Sequence, residues 1–165
     1  MPHLRSISVI GGARVAPQSY QRARELGKEL AKRKCVVITG GRTGVMEAVA
    51  KGCQEGGGLA IGILPGTEKH QANPFINVAI PTGLGDARNI LVVRAGDGII
   101  AMEGGWGTIS ELAFARILKK PVVVLTGDGR WTELLNTARF RKIPRVETPA
   151  QAVQQIMTMI AEYER

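Results

Sequence analysis

The stretch MEGGWGTISELAFA, residues 102–115, places three glycines, a threonine and a glutamate between an apolar run and a helix-like pattern. The apolar run GIIAM, residues 98–102, has no polar alternation, which is typical of a strand buried on both faces of a parallel sheet. The residues that follow the first glycines, 107–120, predict a helix. A strand, a glycine-rich turn and a helix in this order form the basic unit of an α/β fold.

The rest of the chain repeats this unit. Strands are predicted at 6–12, 35–41, 59–66, 76–83, 98–102 and 121–125, and helices at 16–34, 43–57, 85–97, 107–120 and 148–164. In the last helix Thr148 is the predicted N-cap, and Gln151 completes a capping box. The pattern indicates a single domain, residues 1–165, of class α/β: one doubly wound, Rossmann-like parallel sheet with helices on both faces. The irregular segment 65–74 is predicted as a surface loop, with a lid or a subunit contact as alternatives.

The charge of the chain bears on the class of ligand. Its 165 residues carry a formal net charge of +8, and the densest basic run is RFRKIPR, residues 139–145. Aromatic residues make up only 4% of the chain, so platforms for base stacking are scarce and nucleic acid is disfavoured as a partner. The excess of cations suits a solvated basic face and small phosphorylated ligands.

The chain carries no signal for a membrane or for export. No apolar run is long enough to span a bilayer, and the N-terminus lacks the long apolar core of a signal peptide. Cys35 and Cys53 have no metal-ligand spacing, so no metal site is predicted. We therefore expect a cytoplasmic protein with reduced thiols.

Glycine pairs follow three of the predicted strands, and this convergence points to a ligand site. The pairs are Gly11-Gly12, Gly40-Gly41 and Gly104-Gly105. Because the carboxyl ends of parallel strands meet at one edge of a sheet, the three turns should lie together, where ligands of such folds bind. Open backbone N–H groups and a helix N-terminus favour an anion. The strongest candidate is the turn 104–108 with the Thr108 hydroxyl, and the turn 40–44 with Thr43 is the weaker one; the alternative is that these glycines only make tight turns.

Familiar phosphate motifs are missing, and charged residues near the glycines suggest another chemistry. The chain has neither a complete G-x-G-x-x-G at 104–110 nor a Gly-Lys-Ser/Thr sequence, so an ordinary NAD site or an ATPase is disfavoured. Glu111 stands three residues after Thr108, which predicts a capping box in which Glu111 binds the Thr108 backbone N–H. Arg88 begins the helix before strand 98–102, where it could hold a phosphate bidentately or be a surface arginine.

Two motifs resemble those of the LONELY GUY-type phosphoribohydrolases, members of the lysine-decarboxylase-like (SLOG) Rossmann superfamily. GGRTGVMEAVAKG, residues 40–52, resembles their G-G-x-x-G-x-M turn. Their second signature is an Arg-Lys pair followed at a fixed gap by P-G-G-x-G-T-x-x-E. Here Arg88 precedes EGGWGTISE, residues 103–111, at the same gap. The order of elements agrees over nearly the whole chain.

The resemblance implies roles for individual residues. In a hydrolase, Arg88 and Glu111 would act on the N-glycosidic bond of a nucleoside monophosphate. The phosphate would be held by the motif's glycines and threonine, here Gly104, Gly105, Gly107 and Thr108. Two positions depart from the pattern: Asn89 replaces the lysine, and Glu103 replaces the proline. Asn89 removes a cation, and Glu103 would repel phosphate unless its carboxylate points away.

A sister branch of the same superfamily is more similar still. The stretch 64–111 resembles its extended A-N-P…T-G-x-x-x-x-R-N pattern, and this branch includes the molybdenum-cofactor carrier proteins. Carriers in that branch bind a pterin phosphate with its metal and do not consume it. The predicted ligand-binding residues are therefore Gly11, Gly12, Gly40, Gly41, Thr43, Arg88, Asn89, Gly104, Gly105, Gly107 and Thr108.

Three functions remain open. The first is reversible binding of a phosphorylated pterin or nucleotide, which Asn89 and Glu103 favour. The second is hydrolysis of a nucleoside monophosphate to base and ribose phosphate, which Arg88 and Glu111 favour. The third is an interaction protein with a vestigial site, against which the intact glycine turn argues. The preferred reading is a carrier, not an enzyme; it requires no cofactor, and molybdenum cofactor or a nucleotide is the candidate ligand.

Self-association is also expected. The helix 107–120 carries more apolar surface than one sheet face needs, on Leu112, Phe114, Ala115 and Leu118. The resemblance likewise implies a homo-dimer or a higher homo-oligomer.

Overall fold

The computed structural model describes residues 4–127 and 129–164 and contains one seven-stranded, all-parallel sheet. Its strands are β1 (Ser6–Ile10), β2 (Val36–Thr39), β3 (Leu59–Leu64), β4 (Val78–Pro81), β5 (Gly98–Ala101), β6 (Val122–Leu125) and β7 (Arg145–Val146). Their order across the sheet is β4-β3-β2-β1-β5-β6-β7. The direction of winding reverses between β1 and β5, and open α/β sheets form their ligand crevice at such a point.

Helices cover both faces of the sheet. They are α1 (Pro17–Lys32), α2 (Val45–Glu55), α3 (Asn89–Ala95), α4 (Trp106–Ile117), α5 (Thr132–Asn136) and α6 (Pro149–Tyr163). Helices α1, α2 and α6 bury apolar residues such as Leu26, Val49 and Ile156 against one face. Helices α3, α4 and α5 bury a second cluster, which includes Val92 and Leu112, against the other. The predicted Rossmann-like α/β architecture is confirmed.

Each predicted strand and helix is present, and the ends differ by a few residues. The capping box of α6 forms as predicted: the Thr148 side chain accepts from the Gln151 N–H, and the Gln151 side chain accepts from the Thr148 N–H. The predicted helix 85–97 divides into a 3-10 turn, Gly85–Arg88, and α3. Two elements were not predicted, α5 and β7, because five and two residues are too short to show a period.

The segment 65–74 is attached to the turn after β2. It contains a short 3-10 turn, Lys69–Gln71. The Asn73 backbone N–H donates to the Gly41 carbonyl at 2.9 Å, and its side-chain amide donates to the Arg42 carbonyl at 2.8 Å. This loop therefore helps to hold the turn 40–44 in place.

Residues 1–3, 128 and 165, which belong to the predicted domain 1–165, lie outside the described residues. Residues 1–3 are also the start of the N-terminal segment in which no signal peptide is predicted. Of the helices formed by residues 4–127 and 129–164, none is long and apolar enough to cross a bilayer.

Candidate functional site

A cleft of about 240 Å³ opens at the carboxyl ends of β1 and β5, where the winding of the sheet reverses. It is lined by Gly11, Gly12, Ala13, Met46, Asp86, Arg88, Asn89, Gly105, Gly107, Thr108 and Glu111. A larger depression of about 630 Å³ lies over β7 and the start of α6, on residues 145–155. We assign the site to the smaller cleft, since four buried polar side chains converge there: Arg88, Asn89, Thr108 and Glu111.

The first turn of α4 presents unpaired backbone donors at this cleft. Gly105 is the N-cap, and the helix begins at Trp106. Within the described part of the chain, the N–H groups of residues 105–108 have no hydrogen-bond acceptor. Thr108 lines the same space, and its hydroxyl donates to no described residue. Four open N–H groups at a helix N-terminus form a site for an anion.

The predicted capping box between Thr108 and Glu111 is wrong. The helix starts three residues earlier than such a box requires, so Thr108 lies inside the first turn and does not cap it. Its N–H is one of the open donors, and the Glu111 carboxylate is left to line the cleft. Because neither the Thr108 N–H nor the Glu111 carboxylate is used in capping, both remain available to a ligand.

Arg88 is the cation of the cleft. Its side chain is only 8% exposed, and its Nε and Nη1 have no hydrogen-bond partner among the described residues. Burial lowers the pKa of Arg88, while the nearby charges of Glu111 and Asp86 act in the opposite direction. A guanidinium stays charged at neutral pH even so. A buried, unpartnered cation is costly, and an anion that accepts its hydrogen bonds would relieve that cost.

The position of Arg88 depends on the absence of a side chain at Gly40. A Cβ built on Gly40 would lie 2.1 Å from the Arg88 Nη1 and 2.6 Å from the Met46 sulfur. Glycine at the end of β2 thus lets the guanidinium lie against the backbone. Gly40 does not line the cleft itself, so it contributes to the site through the position of Arg88.

The carboxyl group of Glu111 is a weaker acid than an ordinary glutamate. It is 7% exposed, and burial raises its pKa to about 7, although the charge of Arg88 acts to lower it. No described residue gives it a hydrogen bond or an ion pair within 4 Å. The group therefore changes its charge near neutral pH, inside the cleft.

Asn89 links α3 to the first turn of α4. Its side-chain amide donates to the Ser110 hydroxyl at 3.2 Å, and that hydroxyl donates to the Gly107 carbonyl at 2.7 Å. A lysine at this position would have brought a second cation. The asparagine instead supports the turn that carries the open N–H groups.

Glu103 points away from the cleft. Its carboxylate accepts from the Trp131 backbone N–H at 3.4 Å and faces Gly127, where a Cβ would lie 3.5 Å from its Oε2. Glu103 is absent from the cleft lining. The repulsion of phosphate that its position in the motif suggested is thereby avoided.

The other predicted site residues lie around the cleft. Gly11 and Gly12 line it, as do Gly105 and Gly107. Gly104 and Gly41 lie outside the lining, and the Thr43 hydroxyl donates to the Ala13 carbonyl at 3.0 Å. The turn 40–44 is therefore a support for the β1 turn and for Arg88.

Sequence reasoning missed several residues of the site. Ala13 and Met46 line the cleft, and Asp86 does so as well. Trp131, 3% exposed, was also missed; its indole Nε1 donates to the Gly104 carbonyl at 2.9 Å. Its position alone gave no signal, since Trp106 also lies outside the predicted helices and strands and is 86% exposed.

Comparison with known proteins agrees with this architecture. The model of the SLOG cluster4 family matches residues 4–157. The structure of a molybdenum cofactor binding protein from Rippkaea orientalis superposes with a TM-score of 0.89 at 36% identity, over 96% of this chain and 98% of that one. The molybdenum cofactor carrier protein of Chlamydomonas reinhardtii gives a TM-score of 0.82 at 30% identity, over 96% and 99%.

An enzyme is also among the relatives. The cytokinin riboside 5'-monophosphate phosphoribohydrolase LOG of Oryza sativa subsp. japonica is 35% identical over 137 residues, 76% of this chain and 56% of the enzyme. The chain thus spans little more than half the length of that relative. The fold and the motifs define a LOG-like, Rossmann-type protein. The chain belongs to the SLOG cluster4 family, close to the molybdenum-cofactor carrier proteins.

Proposed function

We propose that this protein binds a phosphorylated small molecule reversibly, with the phosphate in the cleft between β1 and α4. The observation that carries the proposal is Arg88, a buried guanidinium that has no acceptor among the described residues, beside four backbone N–H groups that also lack one there. Anionic oxygens satisfy both sets of donors.

The size of the cleft bears on the ligand. Sites for drug-sized ligands enclose about 300–1,000 Å³, and this cleft encloses about 240 Å³. It accommodates a phosphate and the group next to it, and the remainder of a larger ligand would extend past the mouth. A pterin phosphate that carries its metal is our preferred ligand, by similarity to the binding and carrier proteins of Rippkaea and Chlamydomonas.

A second candidate function is hydrolysis of nucleoside 5'-monophosphates. The specific observation in its favour is Glu111, a carboxyl group in the same cleft as Arg88 with a pKa of about 7. An ionised carboxylate can stabilise the positive charge that develops on a ribose when its base leaves. Asn89 weighs against it, because the cation of the hydrolase motif is missing. Glu103, which points away, no longer distinguishes the two functions.

We also propose that the protein acts as a homo-dimer or a higher homo-oligomer. Leu112 and Ala115 pack in the core, contrary to their expected part in self-association. Phe114 and Leu118 are partly buried, and Ile117 is 71% exposed. Trp106, at the start of the same helix, is 86% exposed. A second subunit on α4 would cover these groups and extend the walls of the shallow cleft.

A ligand screen with product analysis tests these functions together. The purified protein is titrated with AMP, other nucleotides and molybdenum cofactor, and the mixtures are analysed by chromatography. We expect binding of a phosphorylated ligand that is recovered unchanged. Release of free base would support the hydrolase instead, and absence of binding to every phosphorylated compound would contradict both.

A further inference from the structure

The structure points to a positioning role for Trp131, a residue outside the cleft. We infer that Trp131 orients the peptide between Gly104 and Gly105 so that the Gly105 N–H faces the cleft. The inference rests on the proposed function, since it concerns how the anion site is built. The evidence is a contact of the Trp131 side chain with the glycine motif 103–111, made outside the cleft.

The key contact is the hydrogen bond from the Trp131 Nε1 to the Gly104 carbonyl, at 2.9 Å. The peptide unit is planar and trans, so its C=O and N–H point in opposite directions. When the Gly104 carbonyl is directed to the buried indole, the Gly105 N–H is directed away from it. Gly105 lines the cleft, whereas Gly104 and Trp131 do not. The indole thus selects one of two orientations that a glycine-glycine peptide can adopt easily.

The Gly104 peptide is also fixed on its other side. The Gly12 N–H donates to the Glu103 carbonyl at 3.1 Å, which ties the motif to the end of β1. A Cβ on Gly104 would lie 2.2 Å from the Thr108 Oγ1 and 2.7 Å from the Gly12 nitrogen. The turn therefore has little room on this side, and the indole bond orients the next peptide, between Gly104 and Gly105.

Glu103 in turn helps to hold Trp131, and with it the indole, in place. Its Oε1 accepts from the Trp131 backbone N–H, so the side chain and the main chain of one tryptophan bind two neighbouring residues of the motif. Trp131 is 3% exposed and packs in the cluster that α3, α4 and α5 bury against one face of the sheet. This arrangement gives the glutamate, which stands where the hydrolase motif has proline, a structural purpose.

The indole bond can be tested without any ligand. The chain has two tryptophans, and Trp106, 86% exposed, is the internal control. In a ¹⁵N-labelled sample the Trp131 indole proton should exchange with solvent at least tenfold more slowly than that of Trp106. Trp131→Phe should shift the Gly105 amide resonance. Equal exchange of the two indoles, or an unchanged Gly105 resonance, would overturn the inference even if no ligand were found.

The effect on binding is tested with sulfate by calorimetry. Trp131→Phe, which removes the N–H and keeps an aromatic ring, should weaken sulfate binding about three- to tenfold. Leu135→Val is the matched control, since it trims the same buried cluster and keeps the indole; its affinity should equal that of the wild type. Equal binding by wild type and Trp131→Phe would contradict the positioning role. Absence of binding by the wild type would instead contradict the proposed function, and the exchange experiment would still decide the inference.

Discussion

The guanidinium of Arg88 lies against the backbone of Gly40, so close that a Cβ at Gly40 would be 2.1 Å from Nη1. The two residues are 48 positions apart in the sequence and meet because β2 ends beside the 3-10 turn before α3. Gly40 therefore contributes to the cleft by making room for its cation.

Gly40→Ala should displace Arg88 and weaken the binding of sulfate or AMP about ten- to a hundredfold, the loss expected for charge-assisted hydrogen bonds. Calorimetric titration measures it. Ile38→Val, a conservative change two residues earlier in β2, is the control and should bind as the wild type does. Unchanged affinity in Gly40→Ala would show that Arg88 does not hold the anion.

Glu111 should make stability depend on pH. Its pKa in the folded protein is raised from an ordinary value of 4.5 to about 7, so folding favours the protonated form. The contribution of Glu111 to the free energy of unfolding is fully present below pH 4.5. It falls by at most about 3 kcal/mol as the pH rises through about 7. Glu111→Gln should therefore be more stable than the wild type at pH 8 and gain little at pH 4.5, as measured by urea unfolding at both values. A constant difference between the two proteins would refute the raised pKa.

The ionisation of Glu111 should also change the affinity of the cleft for an anion. Sulfate keeps its charge between pH 5.5 and 8, so a change in its affinity reports on the protein. Ionised Glu111 repels an anion in the cleft, and sulfate should bind more tightly at pH 5.5 than at pH 8. In Glu111→Gln this dependence should disappear. If the variant keeps the full dependence, another group is responsible.

The fold was predictable from the sequence because most of its strands are short apolar runs and most of them are separated by long helical patterns. The cleft was predictable in outline, since Gly11, Gly105 and Thr108 belong to turns at one sheet edge. The prediction of a capping box is wrong because the first residue of the helix depends on backbone geometry that Thr108 and Glu111 do not determine. The contacts of Gly40 with Arg88 and of Trp131 with Gly104 join distant parts of the chain, and spacing alone does not reveal them.

Turnover of AMP should be very slow or absent, because the hydrolase motif's lysine is Asn89 here. The protein is incubated with AMP, and free adenine is followed by chromatography, with Glu111→Gln as the comparison. Brisk release of adenine that is lost in Glu111→Gln would establish the hydrolase and overturn our preference for a carrier.

Self-association should involve α4. Light scattering should give a mass of at least twice the 17.7 kDa of one chain at micromolar concentration. Ile117→Glu, at a position 71% exposed, should shift the protein toward the monomer without unfolding it. A wild-type monomer near 17.7 kDa would end this idea, and an intact oligomer in Ile117→Glu would move the interface elsewhere.

The most direct test of the anion site is calorimetric titration of Gly105→Val with sulfate and AMP. A Cβ at Gly105 meets no atom of the described residues within 4 Å, and its backbone is extended (φ −87°, ψ −158°), so valine fits the fold. The side chain would stand beside the open N–H groups of residues 105–108 and block an anion there. Ala113→Val, farther along the same helix and outside the cleft lining, is the matched control. We predict that Gly105→Val loses binding while Ala113→Val retains it; binding by Gly105→Val as tight as that of the wild type would place the anion elsewhere.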